Sequence, residues 1–259
     1  MKNISNKFLK QGYLIFDIKL IKELNFIKKK IYKISNEYFN KKNIKIISIP
    51  RFFDELHKYI DVEDLNEFRL YIYNNLNRSK NFREIYYKLA ENYLSEICGN
   101  ELCMQNKINL SIQLPKDDSS LLPIHTDVWS GNSPFEVVFW MPLVNCYKTK
   151  SMFIMTPEMN NFYFNNIKKF NSAEKIFTHS KKNLKWLNIK YGQGLIFTQN
   201  ILHGNVVNLE KSTRWSFNCR FKSVFSPYGN KKIGEFFMPI KLKPATIFGI
   251  NYEEPKIKK

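Results

Sequence analysis

Two hydrophobic periods divide the chain. Over residues 18–38 apolar side chains recur at three-and-four spacing (Leu20, Ile21, Leu24, Ile27, Ile31, Ile34) with lysines opposite, which predicts an amphipathic helix. Residues 61–77 repeat the pattern with Leu65, Phe68, Ile72 and Leu76 behind an acidic first turn. A third helix is expected over 81–97, capped by Ser79 and stopped by Gly99. Within this helical third, 10–16 reads as a short strand. After Gly99 the period falls to two. Strands are expected over 104–114, 122–128, 135–143, 151–156, 184–189, 194–198, 203–207 and 214–224, separated by turn residues such as Pro115, Pro134, Pro157, Gly192 and Asn208.

A helical lead followed by short strands predicts a mainly β fold with a helical layer: a double-stranded β-helix (jelly roll, cupin-like) with N-terminal helices packed on one sheet. No repeat or Gly/Ser linker divides the chain. One domain over 1–259 is therefore expected, with a helical layer at 1–100, a jelly-roll core at 101–225 and a C-terminal extension at 226–259 that wraps the body.

Composition changes this picture little. Hydrophobic residues make up 44% and aromatics 15%, which excludes wholesale disorder. No apolar run reaches membrane-spanning length, and Leu14-Ile15-Phe16 is stopped by Asp17 before it can form a signal-peptide core. Cys98, Cys103, Cys146 and Cys219 have neither CxxC spacing nor disulfide density, so reduced, mostly buried thiols in a cytoplasmic protein are expected. The net charge of +18 invites a nucleic-acid reading. Only six of the 41 basic residues are Arg, however, and the lysines are scattered along the whole chain. Base readout and bidentate phosphate contacts favour Arg, so nucleic acid is not expected as the primary partner. A small anionic substrate is compatible with the charge.

Candidate chemistry concentrates on two histidines. His57 and His179 lie in lysine-rich surroundings with no carboxylate at ligand spacing. His125-Thr126-Asp127 differs: residues two apart on a strand share a face, so imidazole and carboxylate would converge. His203, in an apolar strand and followed by Gly204, supplies a third ligand for a two-His, one-carboxylate triad of the kind that suits non-haem Fe(II). Arg214 follows eleven residues later, and Arg214, Ser216, Asn218 and Arg220 alternate with Trp215, Phe217, Cys219 and Phe221. A guanidinium on the polar face of such a strand can clamp a dicarboxylate. Arg220, six residues on, lies roughly 20 Å away at strand rise and is not expected at the same carboxylate. Trp129 and Asn132 follow the triad in a loop that would edge the open metal positions, where an indole beside an amide suits a sugar ring.

From Phe8 to about Phe225 these residues resemble the Fe(II)/2-oxoglutarate-dependent dioxygenases, and among them the phytanoyl-CoA hydroxylase-like family. The resemblance implies Fe(II) held by His125, Asp127 and His203 as the catalytic centre, with 2-oxoglutarate as co-substrate and O2 as oxidant. Arg214 with Ser216 would grip the distal carboxylate, helped by Gln113, Trp140 and Asn205. At Gln113 the family carries a charged Lys, and at Asn205 more usually a Ser. The expected reaction is hydroxylation of a small molecule coupled to conversion of 2-oxoglutarate to succinate and CO2. Residues 125–134 also resemble oxygenases of bacterial surface-carbohydrate gene sets, which makes a sugar or surface-polysaccharide precursor the first substrate to consider. A lipid-like acyl substrate is the other small-molecule class. A metal-free jelly-roll binding module and a nucleic-acid demethylase of the AlkB type are the alternatives. The short interval from His203 to Arg214 argues against the second, and the presence of Asp127 argues against a halogenase. Oligomeric state is left open.

Overall fold

The computed structural model describes residues 2–255 apart from 80, 120 and 228. The helical lead comprises α1 (Lys2–Gln11), α2 (Ile21–Lys41), α3 (Ile49–Glu55), α4 (Val62–Asn77), α5 (Phe82–Lys88) and α6 (Glu91–Cys98), with strand β1 (Tyr13–Asp17) between the first two. The expected helix over 81–97 is two helices, broken at Leu89–Ala90, and Asn81 rather than Ser79 occupies its N-cap. Gly99 ends α6 with φ of 109°, a backbone state that favours glycine.

The core strands are β2 (Leu102–Gln105), β3 (Asn109–Gln113), β4 (Val137–Pro142), β5 (Phe153–Ile154), β6 (Lys185–Trp186), β7 (Gln193–Thr198), β8 (His203–Gly204) and β9 (Arg214–Ser223). Two helices, α7 (Pro157–Asn165) and α8 (Ala173–Ser180), lie between β5 and β6. They are capped by the side chains of Thr156 and Ser172. The tail adds β10 (Phe237–Lys241) and α9 (Pro244–Ile250).

A seven-stranded antiparallel sheet runs β1-β7-β4-β9-β2-β10, with β3 also on β9, opposite a three-stranded sheet β6-β5-β8. This is the expected jelly roll. Its edges come from outside 101–225, because β1 pairs with β7 and β10 with β2. The helical layer and the C-terminal extension are therefore parts of the sheet as well as its cover. Among the described residues no helix is long and apolar enough to cross a membrane.

The alternation along β9 sets the layering. Trp215 meets Phe52, Phe53 and Phe68 of the helical layer at ring separations of 5.1–6.2 Å, and Phe217 meets Phe82 and Tyr86. Burying these aromatics on the helix side forces Arg214, Ser216, Asn218 and Arg220 into the space between the sheets, where all four line one cavity. Buried Lys150 donates to Asp54 Oδ1 (2.7 Å) and Ser212 Oγ (2.6 Å), and Thr213 N donates to Asp54 O. These bonds tie α3 to the start of β9 and fix where Arg214 begins.

Candidate active site

The cavity between the sheets encloses about 620 Å³ and takes its wall from both. His203 lies on β8, and its backbone exchanges two 2.9 Å hydrogen bonds with that of His125. The strand expected over 122–128 is reduced to this single bridge. The chain leaves it at once in a 3-10 turn, Asp127–Ser130, closed by Gly131 at φ of 79°. Asp127 thus reaches the two histidines from a turn and not by same-face alternation. Pro123 has no N–H to continue a ladder, and Gly131 permits the left-handed step. Gly204 permits the close approach: a Cβ there would lie 2.8 Å from Leu122 O and from a Phe153 ring carbon.

The ligand atoms of His125, Asp127 and His203 all lie within 4.8 Å of one another. His125 Nε2 is 3.8 Å from Asp127 Oδ1, and His203 Nε2 is 4.0 Å from Oδ2. Both gaps exceed a hydrogen bond. The other ring nitrogens are engaged: His125 Nδ1 lies 2.7 Å from Pro123 O, and His203 Nδ1 lies 2.9 Å from Ile201 O. A backbone carbonyl accepts only, so each Nδ1 carries a proton and each Nε2 is the ring nitrogen turned toward the carboxylate. Burial pushes the His203 imidazole down to about 4, against a smaller upward pull from Asp127, which keeps the ring neutral at pH 7. Two imidazole nitrogens and a carboxylate around a gap are a donor set for a divalent metal.

Sequence reasoning gave Arg220 no role; the structure brings it to the triad. Its Nη2 lies 3.1 Å from Asp127 Oδ1, and Nη1 contacts Gln105 Oε1 at 3.4 Å. Asp127 stands at the Arg220 end of β9.

Arg214 is only 4% exposed, and burial lowers its pKa. Among the described residues it has no carboxylate partner. Nη2 donates to Ser111 Oγ at 3.3 Å, while Nε and the neighbouring Ser216 Oγ have no partner. Trp140 lines the same cavity from β4. Asn205 also lines it, and its Oδ1 accepts from Leu122 N at 2.6 Å, pinning the segment that carries His125. Gln113 pairs with Arg214 across β3 and β9 but does not line the cavity, and its amide donates to Val206 O at 2.8 Å. That bond uses one of the two amide hydrogens, and Gln113 Oε1 is buried without a partner.

Trp129 sits on the turn at the cavity mouth, 48% exposed, with its ring 6.1 Å from Phe164. Asn132 is buried and lines the cavity. Its Nδ2 donates to Asp127 O, and its Oδ1 accepts from Lys231 Nζ. His57 and His179 are away from the site, beside Thr213 and Tyr163. The four cysteines are free, and burial pushes Cys98 and Cys146 up to about 12.

No protein-family model matches the sequence, and no curated protein matches it. Solved structures do. The non-heme monooxygenase ThoJ in its apo form aligns at a TM-score of 0.57 with 10% identity, over 90% of this chain and 82% of that one. EctD from S. alaskensis, in its apoform, aligns at 0.55 with 12% identity, over 91% and 83%. HygX from Streptomyces hygroscopicus, solved with nickel and 2-oxoglutarate bound, aligns at 0.53 with 11% identity, over 88% and 89%. At these identities what the chain shares with them is the jelly-roll fold, nearly end to end.

Proposed function

We propose that this chain is an Fe(II)- and 2-oxoglutarate-dependent dioxygenase that hydroxylates a small molecule. The observation that carries the reading is Arg214, a buried guanidinium without a carboxylate partner among the described residues, in the same cavity as the His125, Asp127, His203 cluster. An unpaired buried charge costs several kcal/mol, so a site that keeps one is built for an anion that arrives later. Ser216 Oγ and Ser111 Oγ stand beside it as further donors. HygX, similar in fold, is solved with 2-oxoglutarate bound.

His125, Asp127 and His203 would hold the iron, which supplies the redox chemistry, with O2 as oxidant and 2-oxoglutarate as reductant. The protein's part is to bind and orient. Arg214 with Ser216 and Ser111 takes the distal carboxylate, Trp140 forms the adjoining wall, and Asn205 holds the His125 segment in place. Arg220 holds Asp127 through Oδ1. Val138, Phe197 and Met152 keep the interior apolar, which limits side reactions with water. We place this activity in the phytanoyl-CoA hydroxylase-like group, with a sugar or surface-polysaccharide precursor as the first substrate to try. What supports a sugar is the exposed indole of Trp129 at the mouth.

The test is succinate formation from 2-oxoglutarate, with Fe(II), O2 and candidate sugars. Wild-type protein should form succinate, and Asp127→Ala should not while still folding. Equal succinate yields from both would remove the metal assignment.

A further inference from the structure

The end of the cavity away from Arg214 holds cations that iron and 2-oxoglutarate leave unused. Among the described residues, the ionisable side chains lining the cavity are His125, Asp127, His203, Arg214, Arg220 and Lys231. Three are cations and one is a carboxylate. Fe(II) and 2-oxoglutarate carry equal and opposite charges, so a loaded cavity keeps that surplus of positive charge.

Arg220 and Lys231 stand at the same end, joined through Asn132 and Asp127. Lys231 Nζ donates to Asn132 Oδ1, Asn132 Nδ2 donates to Asp127 O, and Arg220 Nη2 donates to Asp127 Oδ1. Lys231 has no carboxylate within ion-pair distance among the described residues, and Arg220 Nε is buried without a partner. Lys231 is delivered there by the chain after β9. Ser133 Oγ donates to Pro227 O at 2.9 Å, and Gly229 lies against Gly131, where a Cβ would be 3.4 Å from its carbonyl oxygen. The segment crosses the turn that carries Asp127 and Trp129. Burial and the neighbouring Arg220 lower the pKa of Lys231, a penalty that an anion would relieve.

We propose that Lys231, beside the Arg220 guanidinium, forms a phosphate subsite, and that the substrate is a phosphate-bearing small molecule. This rests on the iron and 2-oxoglutarate reading, since Arg214 would otherwise compete for the same anion. A tetrahedral oxyanion accepts from an ammonium and a guanidinium together, and its two charges match the surplus of positive charge in the loaded cavity. With Trp129 at the same mouth, a sugar phosphate or nucleotide sugar has both features the subsite reads.

The test is calorimetric titration of sn-glycerol 3-phosphate, with glycerol as the uncharged control, into protein loaded with Mn(II) and 2-oxoglutarate. Wild-type protein should bind the phosphate ester and not glycerol. Lys231→Met should bind it about tenfold more weakly or worse, and Lys231→Arg should recover most of the affinity. Equal affinity in wild type and Lys231→Met, or no binding in wild type, would overturn the subsite. Failure of 2-oxoglutarate itself to bind would instead sink the functional reading. The ester is then titrated into ligand-free Arg214→Leu protein, where that competition is removed; loss of affinity on adding Lys231→Met would still support the subsite and its absence would still overturn it.

Discussion

Replacing Arg214 by Leu should make the ligand-free protein more stable while destroying its response to 2-oxoglutarate. In the native chain the guanidinium is 4% exposed and makes one long side-chain hydrogen bond, 3.3 Å to Ser111 Oγ, with Nε unpartnered. Leu gives up that bond, at a cost of about 1 kcal/mol, and keeps most of the packing volume. It also removes a buried charge whose desolvation costs several kcal/mol. The balance favours the variant by about 1–3 kcal/mol, which raises Tm by roughly 2–4 °C for each kcal/mol in a chain of this size. 2-Oxoglutarate should stabilise the metal-loaded wild type by mass action. In the variant its affinity should fall by about 2–5 kcal/mol, the cost of leaving one carboxylate of the ligand without its charged partner. Thermal melts with and without the ligand, at fixed metal, measure both effects. A variant with lower ligand-free stability and an undiminished ligand shift would show that Arg214 is a structural cation, and the argument from its unpaired charge would fail.

Gly204→Ala should cost about 2–4 kcal/mol and weaken metal binding together, because the new Cβ meets Leu122 O at 2.8 Å and Pro123 O at 3.1 Å on the segment that carries His125; intact metal affinity would contradict the close-approach account. The metal-free protein should lose on the order of 2–3 kcal/mol as pH falls from 6.5 toward 4, because the folded state holds His203 neutral and the unfolded chain does not. That stabilisation is complete above pH 6.5 and gone below about 4, so His203→Asn should flatten the acid limb of a Tm–pH curve, and an unchanged limb would refute the assignment. Trp129→Ala should cost no more than about 1 kcal/mol, since the indole is half exposed, yet uncouple 2-oxoglutarate decay from product formation; a much larger loss of stability with normal coupling would make Trp129 a packing residue.

Strand β9 was the most legible element. Its strict alternation of polar and aromatic residues fixes which side faces the helices, so Arg214 and Ser216 could be placed in the cavity from the pattern alone. Around His125 the pattern brings His125, Asp127 and His203 together but not by the strand it predicts. Pattern alone cannot show that one bridge to His203 is followed by a 3-10 turn, although Pro123 and Gly131 were the available signals. Helices α7 and α8 also left a trace, with Thr156-Pro157 and Ser172 as caps, but their apolar period is too short to stand out. Arg220 was visible on the correct face of β9, and only the turn reveals its carboxylate. Lys231 could not have been found, because its place depends on how the chain after β9 folds back over residues 131–133.

Anaerobic titration of the metal-free protein with Fe(II) and then 2-oxoglutarate tests the central claim most directly. If His125, Asp127 and His203 bind iron with positions open to the co-substrate, adding 2-oxoglutarate should produce a visible charge-transfer absorption band that saturates at one equivalent. The band should be missing in Asp127→Ala and should need far more 2-oxoglutarate in Arg214→Leu. No band in folded wild-type protein, or a band unaffected by both substitutions, would contradict the account.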